Sequence, residues 1–569
     1  MTHGRRRVLV LDGDTPQALG IVRSLGHKGY VVDVGSPVES PPPQAALSRW
    51  CSGRFTYPDP ATQVEAFRQA VVERVTAESY ALVIPVTDWT IVPLLAVRRQ
   101  VEAISALAIA KDDGLQITLS KGRTGELAER LGVPVPLTQV IRETGEAIDA
   151  RLTYPLFVKS DRSKAWDAAG VGRHFPVVAA GTPHDAEARI ATLLPHGPVV
   201  LQQRVEGEAV GIAALARAGK TLFTFQYRRL HEVPITGGAS SYRESERRDR
   251  RLERYAQALL AALEWDGVAM LEFKRGAEGE LWLIEINGRF WGSLALPLAA
   301  GVDFPGWLAD AMLDGRTEFP PDYPAGVRCR NLRTEVDWLK GALRSVEKVG
   351  VGRLALDTLR MLNPRERWDT LSFADPAPGM ASVRAVLQDS ARVALKRSRV
   401  AMVQRRMVAL QASTDGLAST LKGAQRILFV CHGNIIRSAY GAALLAREVG
   451  ATVEVRSAGL FANPGRPAHG ETLRRARARG LDLSGHAAAQ LTEAEVTSAD
   501  VVLVMEVDHY LRVRRFYGAP RRKVWLLGAA VPHGPVEIPD PVGGPTEGYD
   551  RCFDAIEAAV DAIAVGLRR

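Results

Sequence analysis

The chain has 569 residues, more than one hydrophobic core can organise, so length alone argues for three or four domains. A hydrophobic share of 46% with 24% charged residues excludes a disordered or fibrous chain, and no apolar run approaches the roughly 20 residues of a membrane-spanning helix. The net charge of +9 is concentrated rather than spread, and Cys51, Cys329, Cys431 and Cys552 lie far apart and match no metal-ligand spacing. Arg5, Arg6 and Arg7 precede only a short apolar stretch, Val8 to Leu11, too short for a secretory signal. The expected compartment is the cytoplasm, where the four cysteines would be thiols.

In chain order, residues 6–110 alternate apolar β-like runs (7–11, 31–34, 81–85) with helical patterns (16–28, 61–77). That alternation predicts an N-terminal α/β domain, placed at 1–115, built on an open and largely parallel sheet.

The region 116–325 mixes strands and helices, with charges set on the strands. Glu272 interrupts the apolar strand 269–273, and after a glycine turn Glu285, Asn287 and Arg289 alternate along 281–289. In a hairpin Glu272, Glu285 and Asn287 share a face, a hard-oxygen set suited to Mg²⁺ carrying nucleotide phosphates. Arg289 on the same face would stabilise charge on a transferred phosphoryl group. Lys159 ends the apolar strand 155–159 ahead of a polar stretch, 160–172, read as flexible. A strand at 199–203 ends in Gln202 and Gln203 and leads to Val205 and Glu208, and Lys121 opens a helix.

These segments, in this order, resemble the ATP-grasp family over about 1–325. The resemblance implies that Lys121 and Lys159 contact ATP phosphates and that Gln202 to Glu208 line the adenine and ribose pocket. It also implies that Glu272, Glu285 and Asn287 hold Mg²⁺. Gln203 stands where many members have Glu. The runs 289–293 and 237–241 look most like members assigned as carboxylate–amine ligases, which form an acyl phosphate from a carboxylate and ATP and let an amine displace the phosphate. The segment beginning Gly237-Gly238 would lie near the substrate.

Residues 326–422 read as a helical basic linker. Between Ala381 and Lys422 there are eight Lys/Arg against Asp389 and Asp415, with Val386, Val393, Val400 and Met407 at seven-residue intervals. A basic amphipathic helix packed on a neighbouring domain is expected, with homodimerisation or contact with an anionic surface as alternatives. Without aromatic interleaving or a reader motif, nucleic acid is not an expected partner.

From 423 to the end strands and helices alternate again, as in an α/β domain with a parallel sheet. An apolar strand, 427–430, runs directly into Cys431-His432-Gly433-Asn434-Ile435-Ile436-Arg437-Ser438, and a helix follows. A strand, a tight loop and a helix head converge backbone N–H groups on the loop centre, which suits both a phosphate and a nucleophilic thiolate. Gly433 would permit close backbone approach. Arg437 offers a fork for two phosphate oxygens. Asp540-Pro541, before Gly543-Gly544, suits a mobile general acid.

Residues 430–438 with Asp540-Pro541 resemble the low-molecular-weight protein tyrosine phosphatases, over about 426–569. Ser457-Ala458-Gly459, Pro467-Ala468 and 480–486 match as well. The resemblance implies Cys431 as nucleophile, Arg437 as phosphate ligand and Asp540 as general acid, with Asn434, Ser438, Ser457 and His486 as a network that holds the loop. Ile436 stands where a second cysteine is common, Ala439 where proline is usual, and Val542 and Gly543 where aromatic walls occur. Arsenate reductases of the same fold need two further cysteines, and none lies between Cys431 and Cys552.

Together these readings predict a bifunctional enzyme, an ATP- and Mg²⁺-dependent carboxylate–amine ligase joined to a cysteine-dependent phosphatase acting on phosphotyrosine in a protein or on a phosphorylated small molecule. The alternatives are a phosphatase regulated by a nucleotide-sensing module and an arsenate reductase-like C-terminal domain.

Overall fold

In the computed structural model the described residues are 6–37, 41–167, 170–235, 237–344, 350–361, 363, 365–411, 417–542 and 546–568. They form two compact units, residues 1–387 and 388–569, and the division falls inside one long helix, Pro376–Gln411.

The first unit opens with a five-stranded, fully parallel sheet in the order Cys51–Thr56, Val31–Ser36, Arg7–Val10, Leu82–Ile84, Ala106–Leu107. Parallel strands buried on both faces read as continuous apolar runs, and Val8 to Leu11 are wholly buried. A four-stranded antiparallel sheet follows, Val178–Ala180, Leu156–Ser160, Val199–Gln203, Thr138–Ile141, around its own small core of Ile141, Leu156, Val158 and Leu201. The third sheet has seven strands, running from Leu281–Asn287 at one edge through Gly267–Arg275, Glu208–Arg217, Lys220–Val233 and Ala239–Glu246.

Two expectations change here. The stretch 160–172, read as flexible, contains the strand Lys164–Trp166, which pairs with Gly172–His174. Trp166 fixes it by packing edge-on to Trp89 at 5.3 Å and donating Nε1–H to the Pro60 carbonyl at 2.8 Å. The stretch 326–422 is more than a linker, because Arg328–Arg330 and Arg367–Trp368 extend the seven-stranded sheet. Buried ion pairs hold that extension. Arg243 meets Asp369 with neither side chain exposed, and Arg330 lies between Glu335 and Glu366.

In the second unit a four-stranded parallel sheet runs Glu454–Gly459, Arg426–Cys431, Val501–Val504, Val524–Leu526. The helix Thr546–Leu567 buries Phe553, Ile556, Val560 and Ile563 in this unit's core. Of the basic helix, Met407 enters that core with Val400 and Val403 against it, while Val393 is exposed.

Removing one partner of a buried ion pair leaves an uncompensated charge, at a cost of about 3–5 kcal/mol. Asp369→Ala is therefore expected to lower the stability of the first unit by about that amount in urea titration. An effect below about 1 kcal/mol would mean that Arg243 is solvated or otherwise paired.

Candidate functional site

The strand Arg426–Cys431 delivers Cys431 to the carboxyl edge of its sheet, where open α/β sheets bind ligands. The loop then turns into the helix Arg437–Val449. Asn434, buried and left-handed at φ 54°, organises the turn. Its N–H donates to Cys431 Sγ at 3.3 Å, and its Nδ2 donates to Ser438 Oγ and Ser457 Oγ, both at 2.9 Å. Its Oδ1 accepts from Ala489 N at 2.9 Å, and His486 Nε2 lies 2.7 Å from its carbonyl oxygen. Ser438 Oγ lies 3.0 Å from Cys431 Sγ. One amide side chain thus brings together Ser438, Ser457 and a backbone 55 residues away.

Gly433 has a different relation to the loop from the one expected. A Cβ there would meet only Ile435, at 3.7 Å, so no protein group crowds it. The close approach is at Gly459, where a Cβ would sit 2.9 Å from Asn434 N, the Gly433 carbonyl carbon and the His432 carbonyl oxygen.

Arg437 is buried, with 1% of its surface exposed. Nη2 donates to Asp540 Oδ2 at 2.5 Å, and Nη1 donates to the Ile538 carbonyl at 2.9 Å and to Glu506. Burial alone would lower its pKa, but Asp540, Cys431 and Glu506 together hold it above the ordinary guanidinium value. Cys431, Arg437 and Asp540 are thereby gathered in one place. Glu506 was not singled out in the sequence, although a carboxylate just beyond the apolar strand Val501–Val504 stands where ligand groups collect. Desolvation, with Arg437 adding to it, pushes His509 down to about 4, so its imidazole is neutral at pH 7. Beside the loop, His432 and the half-exposed Phe461 have ring centroids 4.9 Å apart, and the Arg512 guanidinium lies 5.3 Å over Phe461. The Gly543-Gly544 pair lies outside the described residues. Cys552 is buried and its thiol is pushed up to about 12, mainly by burial.

In the first unit, Glu272 and Glu285 are direct cross-strand partners in the hairpin, and Asn287 follows two residues on, opposite Met270. Asn287 Nδ2 donates to Glu285 Oε1 at 3.0 Å, and Arg229 meets Glu272. Burial raises the Glu272 pKa and the neighbouring Glu285 adds to the rise, while Arg229 opposes it. Glu285 lines two cavities. The larger, about 410 Å³, is lined by Phe157, Lys159, Gln202, Gln203 and Val205, and also by Arg229 and Gly237-Gly238. The smaller, about 210 Å³, is lined by Lys121, Lys164, Asn287 and Arg289 with Asp88.

The lysines are held by hydrogen bonds. Lys159 Nζ donates to Gln202 Oε1 at 2.6 Å, and Lys121 Nζ to Ser163 Oγ at 2.9 Å. Asp161 pins the head of the Lys121 helix, accepting from Ser120 Oγ at 2.9 Å and Gly122 N at 2.8 Å. Arg289 Nε donates to Asp88 Oδ1 at 2.8 Å, bringing in the N-terminal sheet region. Burial pushes Lys159 down to about 8, against the opposing pull of Glu285.

Glu208 is not brought to this pocket. Its carboxylate is taken by Arg228 and Arg275, and from this segment it is Glu206 that lines the cavity, along with Glu232, Glu272 and Glu285. Glu208 opens a strand, whereas Glu206 precedes it across Gly207, whose φ of 148° ends any alternation between the two. Sequence reading also passed over Arg229, Asp88 and Lys164. The Asp88–Arg289 contact spans 201 residues and leaves no local signal. Among the described residues no group of three or more His, Cys, Asp or Glu side chains is arranged to hold a metal ion.

Residues 426–569 match the family described as low molecular weight phosphotyrosine protein phosphatase, and residues 196–335 match ATP-grasp in the biosynthetic pathway with Ter operon. Curated relatives include a protein-arginine-phosphatase of Geobacillus stearothermophilus, 34% identical over 143 residues, covering 25% of this chain and 96% of the relative. The low molecular weight protein-tyrosine-phosphatase Etp of Escherichia coli (strain K12) is 33% identical over 143 residues, covering 25% of this chain and 95% of the relative. Among solved structures, an L-amino acid ligase from Bacillus licheniformis has a TM-score of 0.42 at 15% identity, covering 54% of this chain and 74% of that one. Through residues 426–569 the chain belongs to the low molecular weight phosphotyrosine protein phosphatase family.

Proposed function

We propose that the second unit hydrolyses phosphomonoesters through a phosphocysteine. Cys431 Sγ attacks phosphorus, the Cys431–Ser438 loop and the Arg437 fork hold the phosphoryl oxygens, and Asp540 protonates the departing alkoxide. Water then attacks the phosphocysteine, with Asp540 taking its proton, and inorganic phosphate leaves. The observation that carries this reading is the convergence of Cys431, Arg437 and Asp540 on one loop. Asp540 now holds Arg437 and would give way as phosphate oxygens take the fork. Phe461 and His432 offer an aromatic wall, which favours phosphotyrosine. Phosphoarginine in a protein is the second reading, favoured by the arginine-phosphatase relatives.

For the first unit we propose an ATP- and Mg²⁺-dependent carboxylate–amine ligase organised as an N-terminal domain over 1–115 and an ATP-grasp domain over 116–325. Gln202, Gln203, Val205 and Glu206 would line the nucleoside, with Lys159 and Lys121 on the phosphates. Glu272, Glu285 and Asn287 fit Mg²⁺, since a cation relieves the crowding of two half-buried carboxylates. When bound, Mg²⁺ neutralises phosphate charge. Arg289, oriented by Asp88, would face the transferred phosphoryl group.

Cys431→Ser is expected to abolish aryl phosphate hydrolysis and leave ATP binding unchanged. Asp540→Asn is expected to cost at least about 10²-fold in kcat on phenyl phosphate, and much less on a nitrophenyl ester whose leaving group needs no proton. Equal losses on the two esters would remove Asp540 from the acid role.

Lys159 is charged below about pH 8 and neutral above it. If it binds phosphate, ATP affinity measured with Mg²⁺ should fall by about tenfold between pH 7 and 9, and Lys159→Gln should flatten that dependence. Glu285→Ala should weaken the Mg²⁺ dependence of ATP binding without touching phosphatase turnover. A steep profile surviving in Lys159→Gln would assign the titration to Lys164, which burial also pushes down to about 8.

A further inference from the structure

The second unit begins ahead of its phosphatase domain. The helix Pro376–Gln411 precedes residues 426–569, and its C-terminal turns belong to this unit. Lys396, Val400, Val403 and Met407 recur three and four residues apart and so share one helix face. Met407 is buried in the core of the unit, and Val400 and Val403 pack against that core. Lys396 Nζ lies 3.1 Å from Asp508 Oδ1. Gln404, one turn beyond Val400 and half-buried, donates from Nε2 to Glu537 Oε2.

Glu537 has a second partner. Its Oε1 accepts from Val507 N at 2.7 Å, at the head of the helix Val507–Phe516. The next residue, Ile538, is buried. Its N–H donates to the Met505 carbonyl at 2.9 Å, and its carbonyl accepts from Arg437 Nη1 at 2.9 Å. Pro539 and Asp540 are then exposed, and Asp540 Oδ2 accepts from Arg437 Nη2. Asp540 Oδ1 accepts from Val542 N at 3.1 Å, a neighbour that would move with it. Glu537 and Ile538 therefore anchor the chain just ahead of Asp540, and one oxygen of that anchor is held from outside the phosphatase domain. Once phosphate oxygens take the Arg437 fork, the guanidinium no longer holds Asp540. The anchor at Glu537 and Ile538 then has to keep the carboxyl group within reach.

We propose that Gln404 is a positioning residue for Asp540, acting through Glu537 to fix the segment 537–540 beside the Cys431 loop. The inference rests on the reading of Asp540 as general acid.

The test compares phenyl phosphate with a nitrophenyl ester, using the full chain and reading kcat/KM, which reports the step in which the leaving group departs. Gln404→Leu keeps bulk and helical preference but donates nothing. It is expected to lower kcat/KM on phenyl phosphate by about three- to tenfold and on the nitrophenyl ester by less than about twofold. Gln404→Lys, which restores a donor, should recover most of the loss. On a Glu537→Ala background, Gln404→Leu should add nothing further. Gln404→Ala serves as a second variant should the leucine not be tolerated. Equal losses on the two esters, no loss on either, or an undiminished effect in the Glu537→Ala background would overturn the proposal. Asp540→Asn assayed alongside separates the two claims. If it shows the ester-dependent loss and the Gln404 variants do not, the positioning role falls and the acid role stands. If Asp540→Asn shows no such dependence, the acid role falls and the inference with it.

Discussion

A guanidinium keeps its charge wherever the fold places it, so an arginine that is buried or half-buried calls for a carboxylate. Arg437 is met by Asp540 and Glu506, Arg229 by Glu272, Arg289 by Asp88, Arg243 by Asp369, and Arg330 by Glu335 and Glu366. Several of these pairs do more than neutralise. Arg289 with Asp88 joins the hairpin of Glu272 and Glu285 to the N-terminal sheet region, and Arg243 with Asp369 fastens the edge of the seven-stranded sheet. At Arg437 the two carboxylates occupy the donors that, in the proposed reaction, would face a phosphate. The positive charge an anion needs is stored in the fold as an ion pair.

The two proposed phosphate sites solve the same electrostatic problem differently. The loop at Cys431 gathers backbone N–H groups, a helix head and one arginine, and its geometry is fixed by Asn434, Gly459 and their hydrogen bonds. The site around Glu285 uses long lysines and opposed carboxylates, which suits phosphates that arrive with a divalent cation. Rigidity serves a covalent step at sulfur. At the proposed nucleotide site Lys159 and Lys121 are held in place by Gln202 and Ser163.

Legibility from sequence followed the range of the interactions. The eight residues from Cys431 to Ser438 contain strand end, loop and helix head, so their chemistry could be read locally. Strand alternation marked Glu272, Glu285 and Asn287 as candidates for one face, but the register that opposes Glu272 to Glu285 depends on a bulge between Glu272 and Phe273 that the sequence does not announce. Alternation failed at Glu208, because Gly207 interrupts the strand, and the side chain that reaches the cavity is Glu206. Composition failed at 160–172, where a polar stretch becomes a strand pair once Trp166 finds Trp89 and Pro60. Asp88, Glu506 and Arg229 act through partners from 43 to 201 residues away, and only Glu506, just beyond an apolar strand, carries a local signal.

The most direct test of the account is rapid quenching of the wild-type chain and Cys431→Ser during aryl phosphate turnover, followed by peptide mass spectrometry under conditions that preserve thiophosphate esters. The account predicts a phosphoryl group on the peptide containing Cys431 in the wild type and none in the variant. Turnover without any adduct on Cys431, or turnover retained in Cys431→Ser, would contradict it.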